Sequence, residues 1–436
     1  MVGRPGAAGR TRPLASRAMR VAVVAEWYPS PADPVLGVWA HRQAQAARGA
    51  GAEVQVLAMR RPLPPLAAAR AAASLPPRLG PLRAWAGGVR SSLRPLLLDG
   101  VPVEPVAWAA PPRPLSYGVW GRWMAPPLAR ALDALHARWP FDVLHAHCVT
   151  PPGYAAARWL ERRRADGARP ALVVSAHGPD MIHVYRRSRW ARRDAERALR
   201  AADLVAANSS WAANRCEQIA RGPLPARVLH LGADLPPARE PAARDGATPT
   251  VVTVGHLVER KRHALVVRAL ARLPRELAWG YEVIGDGPCR APLERLAAEL
   301  GIAERVRFRG QLDHPDALAA LGRCDLFAMP GVEEPFGVAF VEAMAAGLPA
   351  IGTAGEGGPE DIAAAGPGME LVPRDEQAAV AALTELLAAL LGDRAETARR
   401  GAAARATVER CFTWERCGAA TVDLYRQAAA RAGGGR

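Results

Sequence analysis

The sequence of 436 residues is short of lysine, of paired cysteines and of long uncharged stretches. Lys261 is the only lysine among 57 basic residues. The six cysteines have neither C-x-x-C spacing nor the density of a small secreted fold, so they predict reduced, mostly buried thiols and argue against a zinc site. No uncharged apolar run reaches the length of a transmembrane helix and no signal-peptide pattern opens the chain, which favours a soluble, cytoplasmic protein.

The formal net charge of +15 is the strongest deviation in the composition. The abundance of alanine, glycine and proline, with arginine in place of lysine, is typical of a GC-rich coding sequence. This bias does not explain the excess of basic over acidic residues. A positive charge of this size suits an anionic membrane surface or nucleic acid. We favour the first partner, at the inner face of the membrane.

The alternation of short apolar runs with helical segments predicts two α/β domains, because a chain of this length exceeds one compact core. Such strands form mostly parallel sheets with helices on both faces, so we expect two doubly wound, Rossmann-like domains that face each other across a cleft. The predicted strands are 21–25, 53–58, 142–145, 171–175 and 203–207, followed by 250–254, 281–284, 306–309, 325–329, 349–352 and 369–372.

The domain boundaries follow from the composition of one stretch. Residues 236–249 are rich in proline and alanine, as linkers often are. This predicts a first domain over 19–236 and a second over 237–413. The final helix, 414–430, is expected to cross back onto the first domain.

Two segments lack a periodic pattern. Residues 1–18 contain mostly Arg, Gly, Pro and Ala and are predicted to be a disordered basic arm. Residues 60–114 are predicted to be an irregular insertion, which is either mobile or part of an acceptor-binding or membrane-facing element.

The loops that follow the strands hold the chemically unusual residues, since ligands of open parallel sheets bind beyond the carboxyl ends of the strands. The loop Gly255–Lys261 places lysine where the next helix should begin, which suits a diphosphate. A solvated basic stretch is the alternative explanation. The segments Gly285–Pro288 and Gly355–Glu360 are tight turns that allow backbone to approach a ligand, although most such turns only reverse the chain.

The loop 330–338 carries the strongest signal. Glu334 lies before a predicted helix, Gly337 exposes backbone N–H groups at its start, and Glu342 lies about one turn inside it. This arrangement offers N–H donors to phosphate and two carboxylates to sugar hydroxyls. The alternative is that both glutamates only favour the positive end of a helix dipole.

Two histidines at strand ends are candidates in the first domain. His147 ends one predicted strand region, in His145-Ala146-His147, and His177 follows the next strand. A histidine at a strand end is usually a hydrogen-bonded structural residue. Because these strand ends are expected to face the glycine turns of the second domain, we favour a functional His177.

Together these segments resemble the GT-B glycosyltransferases of family 4 over about residues 20–430. The matching motifs are LGVWAHRQ at 36–43, HAH at 145–147, AHGPD at 176–180, GHLVERK at 255–261, GDGP at 285–288 and the E-x7-E block from Glu334 to Glu342 with its continuation AMAAGLP at 343–349. Two positions depart from the family pattern. His256 stands where many relatives have arginine, and Leu36-Gly37 where relatives often have two glycines.

The resemblance implies roles for the matching residues. His177, Lys261 and Glu334 are implied as the catalytic set, with Lys261 on the donor diphosphate, Glu334 on the sugar hydroxyls and His177 beside the transferred sugar. Glu342 is implied to bind the nucleotide ribose, and the backbone N–H groups of 336–338 the phosphate or sugar. The full implied donor-binding set is Gly37, His256, Lys261, Gly285, Glu334, Phe336, Gly337, Val338 and Glu342.

The resemblance also implies an activity. Family members transfer sugar with retention of anomeric configuration, usually without a metal, so the implied co-substrate is a nucleotide-diphosphate sugar and no cofactor is needed. The acceptor is a glycan, a lipid-linked saccharide or a small molecule, with His147 and the segment 60–114 facing it. Two other classes stay open: a sugar-nucleotide epimerase of the same architecture, and a non-catalytic basic protein that binds nucleic acid or a membrane.

Overall fold

The computed structural model describes residues 17–63, 80–112, 116–163, 169–178, 181, 188–237 and 248–434. The arm predicted over 1–18 therefore lies almost entirely outside the described residues. Within the described part of the chain, no helix combines the length and the apolar character needed to cross a bilayer.

Two sheets organise the described residues, and both are doubly wound as the sequence predicts. The first has the order β3-β4-β2-β1-β5-β6-β7-β8, and its strands are β1 Arg20–Ala25, β2 Glu53–Arg60, β3 Leu96–Leu98, β4 Val101–Ala107, β5 Val143–His147, β6 Ala171–Ala176, β7 Leu204–Ala207 and β8 Ala226–Val228. The second has the order β11-β10-β9-β12-β13-β14, and its strands are β9 Thr250–Val254, β10 Gly280–Ile284, β11 Val306–Gly310, β12 Leu326–Ala328, β13 Ala350–Thr353 and β14 Met369–Val372.

Helices cover both sheets. Those of the first half are α1 Val38–Gly49, α2 Gly80–Ser92, α3 Trp120–Arg138, α4 Tyr154–Arg163, α5 Arg189–Ala201 and α6 Ser210–Ala220. Those of the second half are α7 His263–Leu270, α8 Arg290–Glu299, α9 His314–Leu321, α10 Val338–Ala345, α11 Gly357–Ala365, α12 Glu376–Gly392, α13 Arg394–Cys411 and α14 Trp414–Gly433. The sequence prediction did not include α6 and β8.

The central strands are apolar on both faces because each face packs against a separate hydrophobic core. In β1, Val21 and Val23 belong to one core cluster, whereas Ala22 and Val24 belong to another. This double burial is why parallel central strands appear in the sequence as continuous apolar runs.

The strand orders fix where ligands can bind. In the first sheet, β2 and β5 flank β1, and in the second, β10 and β12 flank β9. These are the points at which the winding reverses and a crevice opens beyond the carboxyl ends of the strands. The loops after β1, β5, β9 and β12 therefore line the two crevices.

The segment 60–114 is not irregular throughout, and that prediction was wrong for the described part. It contains α2, β3 and β4, and β4 pairs in parallel with β2, so the segment extends the first sheet. Two prolines, Pro102 and Pro105, concealed this strand in the sequence. β3 pairs only with Val101–Val103, so no strand of the described residues lies beside Pro105 on that side of β4, and the missing N–H is tolerated there. Residues 64–79 and 113–114 lie outside the described residues.

Helix α14 packs on the first sheet rather than on the second, which it follows in the chain. It lies against α1 and β6. Its Tyr425 hydroxyl is 2.8 Å from Nδ1 of His145, whose Nε2 is 2.7 Å from Oγ of Ser175. At Gly418 the crossing with α1 is so close that a Cβ would lie 2.2 Å from the carbonyl oxygen of Ala46.

We predict that Gly418→Ala destabilises the protein by about 1–3 kcal/mol, because the added methyl group forces α14 away from α1. The melting temperature measures this effect. Gly433→Ala in the same helix is the matched control, since no atom lies within 4 Å of its added Cβ. Equal melting temperatures for the two variants would contradict the close crossing.

Candidate active site between the domains

The strongest feature of the crevice in the second domain is an ion pair between Lys261 and Glu334. Both residues are buried, and Nζ of Lys261 contacts Oε2 of Glu334. Nη1 of Arg260 lies 3.6 Å from the same oxygen. Burying two opposite charges together avoids the large cost of burying either one alone. The structure thus brings together the two residues of this domain that the sequence analysis placed in the catalytic set.

Backbone contacts with the end of β10 and with the GDGP turn after it hold the loop that carries Lys261. The Gly255 N–H donates to the carbonyl of Ile284, and the Leu257 N–H to that of Asp286. Gly285 has φ 135°, and a Cβ there would lie 2.0 Å from the carbonyl oxygen of Gly255. The close approach that requires glycine at 285 is therefore by protein backbone. Its contact with a donor stays a prediction.

The E-x7-E loop leads into α10 through Gly337, the residue immediately before the helix. Gly337 has φ 84°, in the left-handed region, and a Cβ there would lie 2.5 Å from Cδ2 of Phe340. The ring of Phe336 is buried and stacks on His230 at 5.5 Å, so only its backbone can meet a ligand. The first N–H groups of α10, around Val338, therefore lie close to Glu334.

The second glutamate of the motif has a partner that the sequence analysis missed. Glu342 lies in α10, and its Oε1 is 2.7 Å from Nε2 of His314, the first residue of α9. The hydrogen bond to Glu342 raises the pKa of His314, although burial opposes it. The signal was available, because α9 follows β11 and a residue at that end of a parallel strand faces the crevice.

Two histidines and a tryptophan meet at the crevice of the first domain. Nδ1 of His147 is 3.0 Å from Nε2 of His177. Burial lowers the pKa of His177 to about 3 and that of His147 well below its usual value, so both rings are neutral near pH 7. The ring of Trp39, which the sequence analysis did not single out, lies 4.0 Å from that of His177 between centroids.

The remaining candidates lie on loops that border the crevices. Gly37 has φ 74° and precedes α1, and a Cβ there would lie 2.3 Å from the backbone of Trp27. His256 is exposed on the loop after β9. Of the motif 176–180, Pro179 and Asp180 lie outside the described residues.

The two domains touch beside both sets of candidates. A Cβ at Gly178, which follows His177, would lie 2.4 Å from Cγ of Pro335, which follows Glu334. Farther along, the Asp361 carboxylate accepts the Ser210 N–H at 2.7 Å, and its Oδ2 lies 3.1 Å from Nε2 of His230. The structure therefore places the loop of His177 directly against the loop of Glu334.

Comparison with known proteins identifies the family. Residues 36–236 match the family model described as Glycosyltransferase Family 4, and residues 236–405 match the one described as Glycosyl transferases group 1. The chain belongs to the family 4-like GT-B glycosyltransferases. It is an enzyme of the transferase class, and the predicted family and fold are confirmed.

Three similar proteins illustrate the family. The D-inositol 3-phosphate glycosyltransferase of Mycobacterium marinum is 30% identical over 323 residues, which cover 68% of this chain and 66% of the relative. A GDP-mannose-dependent monoacylated alpha-(1-6)-phosphatidylinositol monomannoside mannosyltransferase of Corynebacterium glutamicum is 32% identical over 191 residues, 41% of this chain and only 47% of the relative. The crystal structure of HepE of Anabaena in complex with UDP and glucose superposes with a TM-score of 0.65 at 21% identity and covers 93% of this chain and 98% of HepE.

We predict that the pair of His314 and Glu342 makes stability depend on pH. Because the pKa of His314 is raised in the folded state, its contribution is present below the unfolded value of 6.5 and is lost as the pH rises through the folded value. His314→Gln should therefore lower the free energy of unfolding by about 1 kcal/mol at pH 6. The difference from the wild type should shrink by pH 9, as followed by urea unfolding. A difference that does not change with pH would contradict the ion pair.

Proposed function

We propose that this glycosyltransferase transfers a sugar from a nucleotide-diphosphate donor to an acceptor hydroxyl with retention of configuration and without a metal. One observation carries the proposal: Lys261 and Glu334 are buried together at the start of α10. This arrangement presents a cation and free backbone N–H groups for a diphosphate, and a carboxylate for sugar hydroxyls.

The leaving group is stabilised electrostatically. As the bond between the anomeric carbon and the phosphate oxygen breaks, the sugar gains positive charge and the diphosphate gains negative charge. Lys261 and the N–H groups of 336–338 balance that negative charge, which is why no metal is needed. The ribose hydroxyls bind Glu342, which His314 holds in place.

Retention follows if the acceptor attacks from the side of the leaving group. The acceptor oxygen bonds to the anomeric carbon, and its proton passes to an oxygen of the departing phosphate. No side chain becomes a covalent nucleophile. His177, neutral at pH 7, forms a hydrogen bond to the transferred sugar, and contact of the two domains excludes water.

The acceptor side consists of His147, Trp39 and the described part of 60–114. The relatives suggest glycan or lipid-linked acceptors, because one of them is described as acting on a phosphatidylinositol monomannoside. The structure of HepE with UDP and glucose supports a nucleotide-sugar donor in this fold.

We predict that Lys261→Ala and Glu334→Ala each lower kcat about 100- to 1,000-fold, because each removes a charge that acts in the transition state. The assay uses saturating donor and contains EDTA, so that undiminished wild-type turnover also tests metal independence. Glu376→Ala, an exposed glutamate of the same domain, is the control. Normal turnover by both variants, with an unchanged melting temperature, would show that the roles are wrongly assigned.

The donor and the rival chemistry are tested without acceptor. A rise in melting temperature with UDP-, GDP- or ADP-sugars identifies the base, since a ligand that binds the folded state stabilises it. Incubation of that donor alone should leave the sugar unchanged. An isomerised sugar would favour the sugar-nucleotide epimerase.

We also propose an anionic membrane surface, rather than nucleic acid, as a peripheral partner of the first domain. The ring of Trp190 is 43% exposed and lies within 5.1–5.3 Å of the guanidinium groups of Arg122, Arg189 and Arg193. Trp123, beside Arg122, is 51% exposed. Aromatic rings with arginines suit the interface between lipid headgroups and acyl chains.

We predict that the protein co-sediments with vesicles of phosphatidylglycerol and phosphatidylcholine, and that binding falls as salt rises from 50 to 500 mM, values chosen to span about a threefold change in Debye length. Arg189→Glu with Arg193→Glu should weaken this binding about 10-fold or more, since each charge contributes about 1 kcal/mol. Arg268→Glu with Arg307→Glu, exposed in the second domain, is the control pair. Equal loss in both pairs would assign the effect to net charge, and binding of duplex DNA instead of vesicles would favour the nucleic-acid alternative.

A further inference from the structure

A buried carboxylate lies directly behind the E-x7-E loop, in the turn Gly355–Glu360, and no role has been assigned to it above. Glu356 is in the connection between β13 and α11, and only 4% of its surface is exposed. Its Oε2 accepts the backbone N–H of Glu333 at 2.6 Å. Its other oxygen lies 3.5 Å from Nε of Arg374. Burial raises the pKa of the Glu356 carboxyl, and the donors around it oppose that rise.

The residue that Glu356 binds has an unfavourable backbone conformation. Glu333 has φ 55°, in the left-handed region that residues with a Cβ seldom adopt. Such a conformation persists only where the surroundings hold it. The hydrogen bond from the Glu333 N–H to a buried carboxylate supplies that restraint on the residue immediately before Glu334.

The same connection also holds the loop on the other side of Glu334. The N–H of Gly358 donates to the carbonyl of Glu334 at 3.2 Å. A Cβ at Gly358 would lie 2.0 Å from the carbonyl oxygen of Phe336, so the two backbones are in direct contact. Residues 333–336 are thus held at two points by the start of α11.

We propose that Glu356 is a positioning residue that aims the Glu334 carboxylate into the sugar site. The proposal rests on the proposed function, in which Glu334 binds the hydroxyls of the transferred sugar. Lys261 and the N–H groups of α10 do not depend on Glu356, because they are held by the loop after β9 and by Gly337. Loss of Glu356 therefore weakens recognition of the sugar and leaves recognition of the nucleoside diphosphate in place.

The test compares the affinities of UDP and UDP-glucose, of GDP and GDP-mannose, and of ADP and ADP-glucose, by calorimetry, together with kcat and KM. Glu356→Ala should reduce kcat/KM about 10- to 100-fold, as expected for a misplaced catalytic group. The affinity for the free diphosphate should stay within about 3-fold of the wild type, which corresponds to less than 1.4 kcal/mol of binding free energy. The preference for the nucleotide sugar over the diphosphate should therefore fall.

Two further variants separate positioning from folding. Glu356→Gln keeps an oxygen that accepts the Glu333 N–H and should restore most of the activity lost in Glu356→Ala. Glu360→Gln is the matched control, since Glu360 lies in the first turn of α11 and its carboxylate accepts the Gly355 N–H at 2.7 Å. It should behave as the wild type.

The outcomes distinguish the two hypotheses. An unchanged ratio of the two affinities in Glu356→Ala, or an equal loss of both, would overturn the positioning role and leave the proposed function intact. If the wild type binds none of these diphosphates, the proposed function fails and the positioning role fails with it.

Discussion

The buried contact between Lys261 and Glu334 is the interaction on which the rest of the site depends. Burying either charge alone would be costly, and the contact between them offsets that cost. The pair lies between two loops, after β9 and after β12, that are 73 residues apart in the chain. The two loops meet because β9 and β12 are neighbours in the sheet, so their carboxyl ends lie side by side. The site is therefore a direct consequence of the strand order.

The loops around this pair are held mostly by close backbone contacts, and several of these contacts are possible only at glycine. Gly285 lets the GDGP turn press on the loop of Lys261, and Gly337 starts α10 with a left-handed residue. Glu356 holds Glu333, and Gly178 brings the loop of His177 against Pro335. These contacts come from different strand ends, so the loops of the site form one packed layer.

Much of this arrangement is predictable from the sequence, and the reasons for the failures are physical. Central parallel strands such as β1 and β9 are apolar on both faces, and that pattern is unmistakable. β4 was missed because Pro102 and Pro105 interrupt its pattern. Its pairing with β2, which makes it a strand, is visible only in the fold. Residues in the motifs were identified because the family resemblance names them. His314 lies in no motif, although its position after β11 was a usable signal, and Trp39 lies in the motif 36–43 but was given no role. Their partners Glu342 and His177 are distant in sequence, and the fold brings each pair together.

Under the proposed function, the ion pair also gives a reason for the site to favour a nucleotide sugar over a free diphosphate. In the absence of ligand, Lys261 and Glu334 neutralise each other. A diphosphate alone would take Lys261 as its partner and leave the buried Glu334 carboxylate uncompensated, which is unfavourable. A sugar attached to that diphosphate supplies hydroxyl donors to the same carboxylate, so both members of the pair exchange one partner for another. In the proposed function, this exchange couples recognition of the phosphate to recognition of the sugar, provided that Glu334 keeps the direction that its loop gives it.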